Sequence, residues 1–444
     1  MARKVRQLVD LLREIGTDGE SVAESSERFG RGYGDLPSER RRELFEAASR
    51  ELELPPGQVV PHLKRALDSA SGDGEEWPDR LDELRVALRS PRRRALERLA
   101  QSAGGMKLLV EMRAEILDLE RAGHSGLDLL EGEIADLLNG WFSQGFLFLE
   151  EIDRRSSFSK IQYLKERELV HPMVQLDEMG RRLGDDRMCF ALYHVVMPDE
   201  PVVFIEVALS RGLIRSVHDI IDDTQVDRDP VTDPNTAIFY SINNTQNGLA
   251  GLGLGRVLLT RVTEALGERH RGLQCFATLS PMPGFRDRYL LPVLRDEEHP
   301  FALSRDELVD RISDRGRRRI LDRAGRTAET EDVAEIALAL HDLLAGTTWI
   351  EDRGLVRSLR RPLSEIAHVY LTRETDARGR PLNPVARFHL GNGATLPRAN
   401  VNFGANRTRR GLEESCGLMA NYVYSVGTFQ QIGRTVRSLL PWGR

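Results

Sequence analysis

Cysteine is scarce: Cys189, Cys275 and Cys416 are the only three in 444 residues, and no two form a CxxC pair. That excludes a disulfide framework or a cysteine-built zinc site and fits a reducing compartment. Long apolar runs are missing too, since none approaches the roughly 18 residues a spanning helix needs. The opening MARKVRQLVDLLREIG is an amphipathic pattern carrying Asp10 and Glu14, without the apolar stretch of a signal peptide. The closing SLLPWGR matches no targeting tail. A cytoplasmic protein is expected. Basic excess is also absent, because 63 Lys and Arg face 69 Asp and Glu for a net charge of −6. This argues against a nucleic-acid partner. The runs Arg40–Arg42, Arg92–Arg94 and Arg317–Arg319 sit in helix-like patterns among acidic neighbours and read as solvated faces. The ten histidines include no HExxH or HxH pair, so no metal is expected.

What is present is a globular composition, 40% hydrophobic and 30% charged, on a chain long enough for two domains. Residues 1 to about 154 read as helices throughout. Leu81, Leu84 and Leu88 recur at helical spacing and are expected in a core. Ser90-Pro91 then restarts a helix, and Met106, Leu109, Met112, Ile116 and Leu119 continue the rhythm after Gly104-Gly105. Beyond residue 155 the texture changes. The segments 188–197, 201–209, 237–243 and 273–279 are short and rich in β-branched and aromatic residues, as strands are. A helix pattern with Val257, Leu258, Val262 and Leu266 on one side separates the last two. Helix returns from 303 to about 370, opened by a capping box of Ser304 and Glu307. Residues 383–394, NPVARFHLGNGA, then read as strand-like sequence with turn residues. The expected class is α+β: a helical domain over 1–154, then a mixed α/β domain over 155–444 with a helical insertion.

Three stretches carry chemistry. In TQNGLAGLGLGRVLL (245–259), glycines at 248, 251, 253 and 255 lie between a strand and a helix. Glycine lets backbone approach a ligand, and a helix start offers free N–H groups, a combination that suits phosphate. No Lys-Ser/Thr follows, and Arg256 stands where a dinucleotide fingerprint wants its third glycine. The second stretch is His389 beside the turn Gly391-Asn392-Gly393. The third is FATLSPMPGF (276–285), where Ser280 sits between an apolar run and two prolines. Such a place fixes a hydroxyl without continuing regular structure, although it lacks the GxSxG elbow of a hydrolase nucleophile.

The pattern GLGLGRVLL resembles the coenzyme A pyrophosphate loop of the N-acetyltransferase (GNAT) fold, with Ala250 where that fold usually has Gln or Arg. Together, AIFYSINNTQNGLAGLGLGRVLL, LSPMPGF, NPVARFHLGNGA and SCGLMANYVY, in this order, are similar to the malonyl-CoA decarboxylase family. LVHP at 169–172 and VALSRGL at 207–213 add support. The resemblance covers most of 155–425. It implies a helical domain that assembles homo-oligomers and a GNAT-like catalytic domain acting on malonyl-CoA without metal or prosthetic group. It places the catalytic pair at Ser280 and His389. It places the acyl-CoA loop at Ala250, Gly251, Leu252, Gly253, Leu254, Gly255 and Arg256. Asn392 and Tyr422 are candidate supporting donors. An acyltransferase using the same loop, a Ser-His thioesterase and a silent acyl-CoA sensor are the rival readings.

Overall fold

The computed structural model describes residues 2–17, 22–71, 75–222, 231–296, 301–327 and 329–425. SLLPWGR lies outside them. The chain divides into two compact units. The first comprises residues 1–148, 192–203 and 244–254, and the second comprises 149–191, 204–243 and 255–444.

The first unit is built of helices whose boundaries follow local chemistry. Ser90 caps the helix Pro91–Gln101 by accepting the Arg93 N–H, with Pro91 fixing the first turn. Gly104, at φ +73°, opens the helix Gly105–Arg121. That helix buries Met106, Leu109, Met112 and Ile116 of the stripe expected from the sequence, and Leu119 at its far end is half-buried. Arg92 is buried on its neighbour and spreads its guanidinium over Glu133 (2.8 Å), Glu53 (3.2 Å) and the Ser49 carbonyl. A guanidinium taken out of water needs several such acceptors at once. The helix Trp77–Ala87 departs from expectation. It buries none of its residues, and Leu88 is 52% exposed. Spacing identifies an apolar face but not whether anything covers it.

Eight strands are present among the described residues: β1 (Leu147–Ile152), β2 (Arg187–His194), β3 (Val203–Ser210), β4 (Thr236–Asn244), β5 (Cys275–Thr278), β6 (Val401–Asn402), β7 (Met419–Ala420) and β8 (Val423–Ser425). Helix therefore ends before residue 154, because LFLEEI pairs into the sheet as β1. Six strands form one sheet in the order β1-β2-β3-β4-β5-β8, and β6 pairs with β7. Every residue of β2 and β3 is buried, as befits central strands covered on both faces. β5 runs parallel to β4 and antiparallel to β8, although the helical insertion separates β5 from β8 in sequence. Between β4 and β5 the helix Leu254–Arg269 buries Leu258, Val262 and Leu266. The insertion opens with the expected capping box of Ser304 and Glu307.

The segment expected as strand at 383–394 is instead the helix Pro384–Gly391. Its N-cap is Asn383, whose side-chain Oδ1 accepts the Val385 and Ala386 N–H groups, and Pro384 occupies the first turn. The Asn-Pro pair outweighs the aromatic content that looked strand-like.

The LVHP stretch proves structural. Glu168 accepts the N–H groups of Val170 and His171 and the side chains of Ser241 and Asn243 on β4. Arg182 pairs with Glu206 of β3 at 3.1 Å. Burial, then the nearby Glu168 charge, holds Glu206 well above the usual carboxylate range.

In the first unit the turn Asn247–Leu249 seats directly on the helix Gly105–Arg121. A Cβ on Gly248 would stand 1.8 Å from the Val110 carbonyl oxygen. Gly248→Ala must push the turn off the helix and should destabilise the protein by about 1–3 kcal/mol. A urea midpoint unchanged from wild type would show that the turn is not held there.

Candidate active site

Ser280 stands two residues beyond Thr278, the last residue of β5, and its rigidity has a plain cause. Its N–H donates to the Ala420 carbonyl at 2.9 Å, and its carbonyl accepts the Ala420 N–H at 2.9 Å. Pro281 then stops the ladder, since it has no N–H to give. The hydroxyl is left at the strand end. Thr278, two residues earlier, shares the strand face and accepts the Ser280 O–H at 2.9 Å. Thr278 Oγ1 also accepts the Tyr422 N–H at 3.2 Å.

His389 arrives from the helix Pro384–Gly391, 109 positions away, with Nε2 3.3 Å from Ser280 Oγ. Its Nδ1 lies 2.8 Å from the Tyr424 hydroxyl. Because the serine hydroxyl donates to Thr278, Ser280 Oγ accepts from Nε2–H, which leaves Nδ1 to accept the Tyr424 O–H. The result is one chain of four side chains, from Tyr424 through His389 and Ser280 to Thr278. The Tyr422 ring stacks on the imidazole with centroids 4.8 Å apart. Phe388 meets it edge-on at 5.0 Å. Ser280 is 7% exposed and His389 3%, so the serine is the more accessible of the pair.

The electrostatics follow from this packing. Burial lowers the His389 imidazole to about 3, because the charged form loses its hydration and gains no acidic partner. Burial likewise raises both the Tyr422 and Tyr424 phenols above their ordinary range. All the side chains of the relay are therefore neutral near pH 7.

The other anticipated residues fall in different places. The Asn392 amide donates to the Phe388 carbonyl at 2.9 Å, which caps the end of the histidine's helix. The Tyr422 hydroxyl is buried with no hydrogen-bond partner among the described residues, and its contribution to the pair is the stacked ring. Residues 250–254 belong to the first unit, and Gly255 and Arg256 to the second. Gly251 and Gly253 take φ of +83° and +73°, so their backbone folds in the left-handed region that glycine alone adopts freely. The loop is exposed at both glycines and at Arg256. In the second unit, a Cβ on Gly255 would come within 3.0 Å of the Phe388 ring, so the glycine allows the two helices their close approach.

A family model of the malonyl-CoA decarboxylase C-terminal domain matches residues 145–433, and one of its N-terminal domain matches 61–142. The chain belongs to the malonyl-CoA decarboxylase family. The mitochondrial malonyl-CoA decarboxylase of Anser anser anser is 33% identical over 412 residues, which is 90% of this chain and 77% of that protein. A crystal structure of malonyl-CoA decarboxylase from Agrobacterium vitis matches with a TM-score of 0.76 at 29% identity, covering 99% of this chain and 96% of that one. The corresponding structure from Rhodopseudomonas palustris gives 0.75 at 27% identity, covering 98% and 96%.

Three residues of this family member escaped the sequence reading. Thr278 and Tyr424 complete the hydrogen-bonded chain, and each sits two positions from a residue already singled out, Ser280 and Tyr422. The period of a strand would have found both. Arg113 is the third. Buried in the first unit, it pairs with Glu131 at 2.7 Å and donates to the carbonyls of Gly248 (2.6 Å) and Ala250 (2.9 Å). It thereby anchors the start of the glycine loop. No local pattern marks it.

The neutral imidazole has a consequence for stability. The folded protein holds His389 unprotonated down to about 3, whereas its ordinary value is 6.5. Between those values the unfolded chain binds more protons, so this residue makes stability fall as pH drops. His389→Gln should flatten that part of the acid limb. Urea melts at about pH 7 and about pH 4.5 check this, and equal pH sensitivity in the two proteins contradicts it.

Proposed function

We propose that this chain decarboxylates malonyl-CoA to acetyl-CoA and carbon dioxide, with Ser280 and His389 acting on the malonyl group. The observation that carries the reading is the 3.3 Å contact between Ser280 Oγ and a desolvated His389 Nε2, in a member of this family. Loss of carbon dioxide breaks the bond between the α-carbon and the carboxylate, and its electron pair passes into the thioester as an enolate. The α-carbon then takes one proton. Such a carbon is a strong base, so a neutral donor suffices and no imidazolium is required.

The geometry supports one assignment of roles. Ser280, the more accessible member, turns its O–H from Thr278 to the α-carbon and delivers the proton. His389 donates an Nε2–H hydrogen bond to the oxygen that is losing it, Tyr424 steadies the imidazole from Nδ1, and the serine oxygen regains its proton from solvent as acetyl-CoA leaves. Water exclusion strengthens each of these hydrogen bonds. The glycine loop at 250–256 holds the coenzyme A pyrophosphate on its exposed backbone and on the unpaired first-turn N–H groups of the helix Leu254–Arg269. Acyl transfer to an amine or hydrolysis of the thioester would give different products from the same substrate.

Incubation with malonyl-CoA in chelator-treated buffer should yield acetyl-CoA and carbon dioxide in equal amounts. Free coenzyme A and malonate would indicate a thioesterase instead. Ser280→Ala and His389→Asn should each lower turnover on the order of 10² to 10⁴-fold with KM little changed. Turnover should show no inflection near the ordinary histidine value, because His389 acts as the neutral form. A rate that declines tenfold per pH unit above about 6.5 would mean that an imidazolium is needed.

The loop assignment has its own test. Gly253→Asp places a carboxylate where the pyrophosphate belongs. Asp tolerates the left-handed region better than most residues, and a Cβ there meets nothing within 4 Å. The variant should fold normally and lose coenzyme A affinity by about 10-fold or more. Unchanged affinity by calorimetry removes the loop from the site.

A further inference from the structure

A second cluster of chemistry lies on the long helix Arg353–Thr372. Arg353, Arg357 and Arg360 follow one another at spacings of four and three, so they share one face. With Arg407, Ile350 and Val356 they line an open cavity of about 480 Å³. All four arginines are exposed, and no carboxylate lines the cavity. Among the described residues none of the four is ion-paired. Two acids on the same helix or its cap are already engaged by other arginines. Asp352 pairs with Arg319, and Glu365 pairs with Arg361, Arg398 and Arg311. Four like charges converging on a concavity repel one another, and a multivalent anion relieves that repulsion.

The ligand class follows from shape and charge together. Guanidinium forks match phosphate oxygens two at a time. A cleft of this size lies within the roughly 300–1,000 Å³ range of small-molecule sites and is larger than a single phosphate needs. Ile350 and Val356 supply an apolar wall against which a flat base can lie. We infer that this cavity binds a multiply phosphorylated nucleotide, its phosphates on Arg353, Arg357, Arg360 and Arg407 and its base against Ile350 and Val356. Arg360 stands about 15 Å along the helix from Tyr370, whose hydroxyl bonds the Pro283 carbonyl in the turn after Ser280. The cavity is thus distinct from the Ser280–His389 pair.

Two sources share this chemistry: the nucleotide end of a coenzyme A thioester and a free nucleotide. Calorimetry of the full chain with adenosine 3′,5′-bisphosphate and with ATP separates them, because binding is read without turnover. At least one probe should bind wild type. Arg357→Glu/Arg360→Glu should weaken that binding by about 10-fold or more for the charge-assisted bonds lost, with Arg357→Gln intermediate. Bisphosphate displaced by coenzyme A assigns the cavity to the thioester's nucleotide. ATP binding that coenzyme A leaves untouched assigns it to a free nucleotide. Absence of heat with both probes, or equal affinity in variants that melt like wild type, overturns the inference.

Discussion

Taking an imidazole out of water penalises only its charged form, and that constraint governs the candidate site. His389 is 3% exposed and has no acidic partner in its hydrogen-bonded chain, so it stays neutral. A neutral ring can donate from only one nitrogen at a time. Tyr424 at one nitrogen and Ser280 at the other therefore settle the direction in which protons face along the chain. If an aspartate stood where Tyr424 stands, the imidazole would be drawn toward its charged form, as in a hydrolase triad. A phenol held above its usual range leaves the ring neutral instead. Under the proposed mechanism, this difference separates proton delivery to a carbanion from activation of a nucleophile.

Sheet topology makes that arrangement possible. β5 lies between a parallel and an antiparallel neighbour, and the antiparallel one, β8, comes from the far end of the described chain. β8 brings Tyr424, with Tyr422 just before it, to the edge from which Ser280 emerges. The Ala420 bridge locks Ser280 in register. The helix carrying His389 needs no strand partner. It is positioned by Asn383, whose amide also donates to the Pro283 carbonyl at 3.1 Å. The turn after Ser280 and the start of the histidine's helix are thus tied to each other directly.

Much of this was legible in the sequence wherever local chemistry decides structure. Four strands of the six-stranded sheet, β2 to β5, announced themselves through β-branched and aromatic residues, and Ser90 and Ser304 marked their helices as caps. The failures have physical reasons. ARFHL is as apolar and aromatic as a strand, and only Asn383-Pro384 before it reveals a helix. LFLEEI follows a helix closely and joins the sheet by pairing, which single-strand composition does not encode. Leu81, Leu84 and Leu88 show an apolar stripe, but the surface that would cover it cannot be read from the stripe. Ser280 and His389 were found through the company of their motifs, whereas Arg113 acts across more than a hundred residues and left no local trace.

The claim that Ser280 and His389 work as one device is the centre of this account. Its most direct test is a double-mutant cycle on carbon dioxide release from malonyl-CoA, using wild type, Ser280→Ala, His389→Asn and the double variant. If the serine delivers the proton and the histidine acts only through it, removing both should cost little more than removing the worse one. Losses that multiply across the two sites, in proteins that remain folded, would mean that the residues act independently and would contradict the relay.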